Sequence, residues 1–524
     1  MADKFTSVSE GEVITTTCGP VKGTTVDGIR GYLGIPYAAP PVGSLRWSPP
    51  APPEPWREPR EMTKFGPACP QSEVALPPGI EEMSEDCLTL NIWTPATNES
   101  DLLPVMVFIH GGGFVGGAGT LPIYNETYLA QRGVVLVTVN YRLNVLGFLG
   151  HPALSAESRH HGSGNYGIMD QVAALKWIQD NIRHFGGNPG NVTVFGHSAG
   201  GASVVALMAS PLTEGLFHRA IVQSGGYPPK VLRHLSQSQY GLDSTESLGL
   251  KFAERLGVDG EANPLEAMRA KPWQEVVKVW EESVQNKSTA TGVSGGWMLN
   301  HLTVDGYVLS KPPGKAFRDG KQRNVPFMAG ATSDEGSIFP PMMGVATVER
   351  YRRYLDRVFG KEGQKTEAMY PAPDDASVSQ ALSKLLGDGF VSGARAMARG
   401  TSAIQPKTYL YQFTMQPKIF LYPMPRSDDW RKEFGCYHAA ELPYVFRFFP
   451  SKRFVEEDRK LSEEIVGYWI RFARNGDPNG DEAIQWPSYD PSEGKYLILD
   501  VPIKVGEHLN EKACDFIDEI AGAR

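Results

Sequence analysis

The 524-residue sequence predicts an α/β fold: a large, mostly parallel central sheet with helices on both faces. Two observations carry this. Short, wholly apolar runs of strand length alternate with segments whose apolar residues recur at helical spacing, and strands without polar alternation are strands covered on both sides. No repeat with a period of about 20–50 residues is visible, which removes solenoids and propellers.

Taken in order, residues 36–59 carry nine prolines and read as extended coil lying over a surface. Val105–Ile109 reads as a buried strand leading into a glycine loop, and Val134–Val139 as a second strand. Ile168, Val172, Leu175, Ile178 and Ile182 stand at helical spacing and mark a helix that ends at Phe185-Gly186-Gly187. Val192–Phe195 is a strand, followed by a tight turn and a helix of small residues, Ala199–Ala209, stopped before Pro211. Ala220–Gln223, Phe327–Ala329, Tyr409–Phe413 and Tyr496–Leu499 complete the strands. Helical stretches around 230–300 and 340–400 read as insertions that wall a gorge over the carboxyl ends of the strands, where open α/β sheets bind ligands. No linker separates these parts, so residues 1–524 read as a single elaborated domain.

Composition excludes several functions. With 51 Lys and Arg against 59 Asp and Glu, the chain is mildly acidic, and no basic patch offers a surface to nucleic acid. No apolar run approaches the ~20 residues of a transmembrane helix. Met1–Glu10 lacks the apolar segment of a secretory signal, so a cytoplasmic location is expected, or a secreted one if a leader has been removed. Sequons at Asn98, Asn125, Asn191 and Asn286 are compatible with secretion and, without a signal, read as chance. Five cysteines, an odd number, argue against a full disulfide framework. There is no C-x-x-C and no H-E-x-x-H, and His160-His161 sits in a polar loop, so no metal and no cofactor are expected.

The chemistry concentrates in two motifs. Gly196-His197-Ser198-Ala199-Gly200 fits G-x-S-x-G between a strand and a helix, the context of an α/β-hydrolase nucleophile elbow. The glycines permit a turn too tight for side chains, which exposes the Ser198 hydroxyl at a helix N-terminus. His110-Gly111-Gly112-Gly113-Phe114 follows directly on the strand Val105–Ile109. Consecutive glycines let backbone N–H groups converge on one point, an oxyanion hole completed by the N–H of Ala199.

A serine hydroxyl needs a base, and the base an orienting carboxylate, in the chain order Ser, acid, His. His234, His301, His438 and His508 lie downstream of Ser198; His438 sits in a loop bounded by Gly435 and Pro443, after the strand Tyr409–Phe413. Asp334 and Glu335 both follow the strand and glycine turn of residues 327–332, and spacing does not choose between them.

Phe185-Gly-Gly-Asn-Pro-Gly-Asn-Val-Thr-Val-Phe-Gly-His-Ser-Ala-Gly200 and Glu85-Asp-Cys-Leu-Thr-Leu-Asn-Ile-Trp-Thr-Pro95 resemble the two signature patterns of type-B carboxylesterases. That family includes carboxylesterases, cholinesterases and bacterial para-nitrobenzyl esterases. Gly34–Gly43, Asn140–Arg142, Asp170-Gln171 and Phe217–Gly225 fit as well, so the resemblance spans nearly the whole chain and is tightest through residue 226. It implies Ser198 as nucleophile, Glu335 as acid and His438 as base. It implies Gly112, Gly113 and Ala199 as oxyanion donors, with Ser224 supporting the triad from behind. Arg46–Glu85 and Arg142–Asp170 match structural ion pairs, and Cys69 and Cys87 match the family's first disulfide. In a reducing cytosol these two would stay thiols.

Two departures bear on substrate. Many relatives carry Glu before the nucleophile, where this chain has His197. The segment between Cys69 and Cys87 holds no aromatic residue to bind a quaternary ammonium, which disfavours choline esters. Phe114, Trp297, Met298, Ile338 and Phe339 near the motif ends are candidates for an apolar pocket, and each is equally a candidate for plain core. The expected activity is hydrolysis of short- to medium-chain uncharged carboxylic esters through an acyl-enzyme. The same machinery would serve a specialised ester, amide or thioester. A non-catalytic binding protein is disfavoured because all three triad residues are present. Monomer and homodimer are both compatible with the sequence.

Overall fold

The computed structural model describes residues 8–72, 78–125, 127–226, 232–239, 241–285, 302–422, 427–481 and 483–521. Trp297, Met298, His301 and the sequon Asn286 lie outside them.

Among the described residues thirteen strands form one sheet. They are β1 (Val8–Thr15), β2 (Pro20–Val26), β3 (Ile29–Pro36), β4 (Arg60–Glu61), β5 (Thr89–Thr94), β6 (Leu103–Ile109) and β7 (Val135–Val139). β8 (Gly187–His197), β9 (Arg219–Gln223), β10 (Phe327–Thr332), β11 (Thr408–Phe413), β12 (Lys495–Leu499) and β13 (Lys504–Glu507) complete it. The order is β1-β2-β3-β5-β7-β6-β8-β9-β10-β11-β12-β13, with β4 beside β2. From β7 to β12 every neighbour is parallel. Along the amino-terminal run β1-β2-β3-β5-β7 and at the β12–β13 edge neighbours are antiparallel, while β4 lies parallel to β2.

The apolar runs are apolar because both faces are covered. Val105, Val107 and Ile109 belong to one buried cluster, shared with Ile168, Val172, Ile178 and Val204 of the helices α1 (Tyr166–Asn181) and α2 (Ala199–Ala209). Met106 and Phe108 point the other way, into a second cluster shared with Ile465 and Trp469. Each strand therefore contributes its alternate side chains to two cores, and a period-2 polar signal never develops.

The proline-rich segment has a single short 3₁₀ turn, Gly43–Leu45. Residues 230–300 supply, among those described, the helices α3 (Thr245–Arg255), α4 (Pro264–Ala270) and α5 (Trp273–Gln285). Residues 340–400 supply α6 (Val348–Phe359), α7 (Gly363–Met369) and α8 (Val378–Ser402). No helix among the described residues is long and apolar enough to cross a membrane.

Candidate active site

β8 ends at His197, α2 begins at Ala199, and Ser198 is the single residue between them, at φ 57° and ψ −121°. A side chain in that region costs on the order of 1–3 kcal/mol, so neighbouring structure must impose it. The N–H of Ser198 donates to the Gln223 carbonyl at 2.8 Å, and the Ser198 carbonyl accepts from Ala202 N–H at 2.8 Å. A Cβ on Gly200 would lie 1.9 Å from the Ile109 carbonyl oxygen, so β6 and the elbow meet backbone to backbone. His197 and Ala199 are buried while Ser198 stays partly exposed.

The glycine loop lies directly against the elbow. A Cβ on Gly111 would be 3.1 Å from Cβ of Ser198. Gly112 and Gly113 have φ of 112° and 63°, and a Cβ on Gly112 would fall 2.0 Å from the Gly116 carbonyl oxygen. His110 anchors the loop. Its ring stacks on Tyr141 at 4.5 Å, its Nδ1–H donates to the Gly111 carbonyl at 2.8 Å, and its own carbonyl accepts from the Tyr141 hydroxyl at 2.9 Å. Burial pushes the His110 pKa down to about 4, so the ring is neutral at physiological pH.

Glu335, wholly buried, follows β10. Its Oε1 accepts from Thr332 N–H at 2.6 Å and from the Ser224 hydroxyl, and its Oε2 accepts from Nδ1 of His438. That contact places the His438 proton on Nδ1 and leaves Nε2 as the acceptor. Nε2 is buried and makes no hydrogen bond in the structure. The ring sits 4.5 Å from the ring of His197, the residue before Ser198, and 5.4 and 4.9 Å from Phe339 and Phe390.

The alternatives left open by spacing occupy other places. Asp334 is exposed and points toward the backbone of Cys436. His234 accepts from the N–H groups of Ser236 and Gln237, and His508 pairs on the surface with Glu511 at 3.1 Å.

Among the pocket candidates, Phe339 lies against the imidazole of His438. Phe114 is fully buried, its ring tilted against Phe148 at 5.0 Å in one core, and Ile338 is buried in the other. Cys69 and Cys87 are not bonded to each other: both are buried free thiols. Their thiols hydrogen-bond, which together with burial holds Cys87 well above the ordinary thiol range, and Cys69 Sγ accepts from Leu143 N–H at 3.2 Å. Both ion pairs are formed. Arg142 grips Asp170 through Nε and Nη2 at 2.8 and 2.7 Å, and Arg46 reaches Glu85 through Nε at 2.6 Å.

Three neighbours escaped the sequence reading. Phe390 comes from the middle of α8, and nothing in the spacing of a 25-residue helix says which turn faces His438. Gln223 and Glu441 are buried. The His438-Ala-Ala-Glu441 spacing was a usable signal for Glu441; its burial was not legible. Burial, reinforced by the negative charge of Glu335, pushes the Glu441 carboxyl up to about 8. His197 is held well below the usual histidine value by burial and by its proximity to His438. Among the described residues no cluster of three or more His, Cys, Asp or Glu is arranged to hold a metal ion.

Comparison with known proteins gives the family and the fold. The model of the carboxylesterase family matches residues 10–517. The chain is 38% identical over 515 residues to the fumonisin B1 esterase of Sphingopyxis macrogoltabida, covering 95% of this chain and 89% of that one. It is 36% identical over 508 residues to the para-nitrobenzyl esterase of Bacillus subtilis (strain 168), covering 94% and 96%. A solved para-nitrobenzyl (PNB) esterase structure superposes with a TM-score of 0.82 at 34% identity, covering 97% of this chain and 99% of that one.

Proposed function

This chain belongs to the carboxylesterase family and is a carboxylic ester hydrolase, and from that premise we propose that Ser198, His438 and Glu335 act as nucleophile, base and orienting acid. The observation that carries the reading is the Glu335 contact to Nδ1 of His438, which leaves Nε2 as an acceptor beside the elbow. His438 takes the proton of the Ser198 hydroxyl as Oγ attacks the ester carbonyl. Negative charge then develops on the carbonyl oxygen, and the N–H groups of Gly112, Gly113 and Ala199 receive it. The alcohol leaves with the proton from His438, and water reverses the sequence to free the acid. Every step uses side chains and backbone of this chain, and none calls for a metal or cofactor.

The substrates are small, uncharged esters of short to medium chain length, which suits the aromatic wall of Phe339 and Phe390 beside the base. Five free thiols, two of them touching, suit a cytoplasmic enzyme. The chain acts as one domain, its helical insertions walling the site. The test is mass spectrometry after reaction with an organophosphate, followed by turnover of para-nitrophenyl esters from acetate to octanoate. One adduct on Ser198 and a loss of at least ~10³-fold in Ser198→Ala are expected; an adduct on another residue overturns the assignment. The 38% identity to a fumonisin B1 esterase favours a second reading, a specialised natural-product ester, so fumonisin B1 belongs in the same panel.

A further inference from the structure

Behind the elbow lies a group of buried polar atoms that the triad does not use. Nε2 of His197 stands 3.9 Å from Oε1 of Glu441, and both side chains are almost fully buried. That separation is about 1 Å longer than an N–H···O hydrogen bond. Neither His197 Nε2 nor either Glu441 oxygen has a hydrogen-bond partner, and the same holds for both amide atoms of Gln223 and the hydroxyl of Tyr411. Gln223 is close enough to Glu441 and to Tyr411 to favour the ionised form of each. Orphan donors and acceptors are costly in a dry interior, on the order of 1–3 kcal/mol each, so a cluster of them beside the base calls for a physical reason.

We propose that His197 and Glu441 are a positioning pair that holds one proton between Glu441 and Nε2 of His197, so that the imidazole of His438 faces one negative carboxylate, Glu335, instead of two. The proposal rests on the triad reading above. Its proton count is fixed by the surroundings. Glu441 is faced by Glu335, by the buried, un-ionised Tyr124, Tyr411 and Cys436 and by the half-buried Tyr422, with the neutral amide of Gln223 beside it. His197 is faced by His438 and by Glu441 itself. Among the described residues no Lys or Arg stands with these neighbours, so the pair is neutral as a unit whichever partner carries the proton. The proton leaves only when the solution is alkaline enough to strip a buried carboxylic acid. His197 thus replaces a potential second anion with a neutral acceptor, and its ring, 4.5 Å from that of His438, keeps the base against the elbow.

The test is the pH dependence of kcat/KM for para-nitrophenyl acetate in wild type, His197→Glu, His197→Gln, Glu441→Gln and the double variant His197→Gln/Glu441→Gln. Active sites are counted by organophosphate titration, so misfolded protein does not enter the rates. In His197→Glu, two carboxylates share one proton and the site gains a net negative charge, so the acid limb set by His438 should move up by about one pH unit. His197→Gln and Glu441→Gln should each lower kcat about tenfold with KM little changed and the acid limb in place, and the double variant should lose no more than the worse single. An unmoved limb in His197→Glu, or losses that multiply in the double variant, overturns the pair. Should His197→Glu not fold, multiplicativity alone decides. Ser198→Ala abolishes the adduct whether or not the pair operates, so failure of the triad reading shows separately.

Discussion

The backbone of Asp334 and that of Cys436 are laced together. Asp334 N–H donates to the Cys436 carbonyl at 3.1 Å, and Cys436 N–H donates to Asp334 Oδ2 at 3.0 Å. Asp334 and Tyr437 form an isolated parallel bridge. The loop that carries Glu335 is thus tied to the loop that carries His438, through the residue before Glu335 and the two before His438. Asp334 supports the site from outside, and Glu335 from within.

This separates two carboxylates that look interchangeable in sequence. Glu335→Gln should lower kcat by ~10²–10⁴, as loss of an orienting carboxylate does in comparable triads. Asp334→Asn keeps an oxygen acceptor for Cys436 and should cost less than about tenfold. Steady-state rates on para-nitrophenyl butyrate distinguish them, and the reverse ranking would move the acid to Asp334.

Ser224 donates to the same Glu335 oxygen that accepts from Thr332 N–H. A hydrogen bond to a charged group contributes about 1.5–3 kcal/mol. Ser224→Ala should therefore lower kcat by about 10–100-fold while KM stays within twofold. An equal change in both would mean that Ser224 acts on substrate binding.

Gly112 has no room for a methyl group, because its Cβ would meet the Gly116 carbonyl oxygen at 2.0 Å. Gly112→Ala should distort the loop and remove an oxyanion donor, lowering kcat by about 10²–10³. Circular dichroism should show the fold retained, since the strain is confined to one loop. Full activity would remove Gly112 from the oxyanion hole.

Arg46 does more than pair with Glu85. Its Nη1 donates to the carbonyls of Arg269 and Lys271 at 3.1 and 2.6 Å, so one guanidinium fastens the end of α4 to the proline-rich segment. Arg46→Ala leaves Glu85 buried without its partner, which typically costs about 3–5 kcal/mol. A urea melt should show that loss, and limited proteolysis should cut first between residues 260 and 285. A midpoint within error of wild type would reduce the pair to a bystander.

His110 makes stability fall on the acid side. Its pKa is about 4 in the folded chain and about 6.5 in the unfolded chain, so the unfolded chain binds the extra proton first. The contribution is fully present above pH ~6.5 and is lost as pH falls toward 4, by about 3 kcal/mol in all. His110→Gln should flatten the fall of the thermal midpoint over that window. An identical slope in the variant would place the acid sensitivity elsewhere.

The sequence made the parallel centre legible because its strands are uniformly apolar: each predicted run from Val105 to Leu499 lies inside an observed strand, except at Val134, one residue before β7. β1 to β5 and β13 were missed, and the reason shows in β1, β2 and β3. They are antiparallel, half-exposed and mixed in polarity, as in Pro20-Val-Lys-Gly-Thr-Thr-Val26, so no apolar run marks them. In the site, the elbow and glycine loop were legible because their function needs bare backbone, which only glycine supplies. Glu441 and Phe390 were not, because their role depends on which way a helix or turn faces.

Ser198 and Glu335 issue from the ends of β8 and β10, strands that the sheet holds in the sequence β8-β9-β10, and the bridge between Asp334 and Tyr437 sets His438 beside Glu335. Neighbouring strands lie about 4.8 Å apart in any hydrogen-bonded sheet. The span from hydroxyl to carboxylate is therefore ruled off by amide pairing between strands, and the imidazole is hung beside it by one further backbone bridge. Selection can redraw the gorge walls for a new ester while the reacting atoms keep their marks on that ladder.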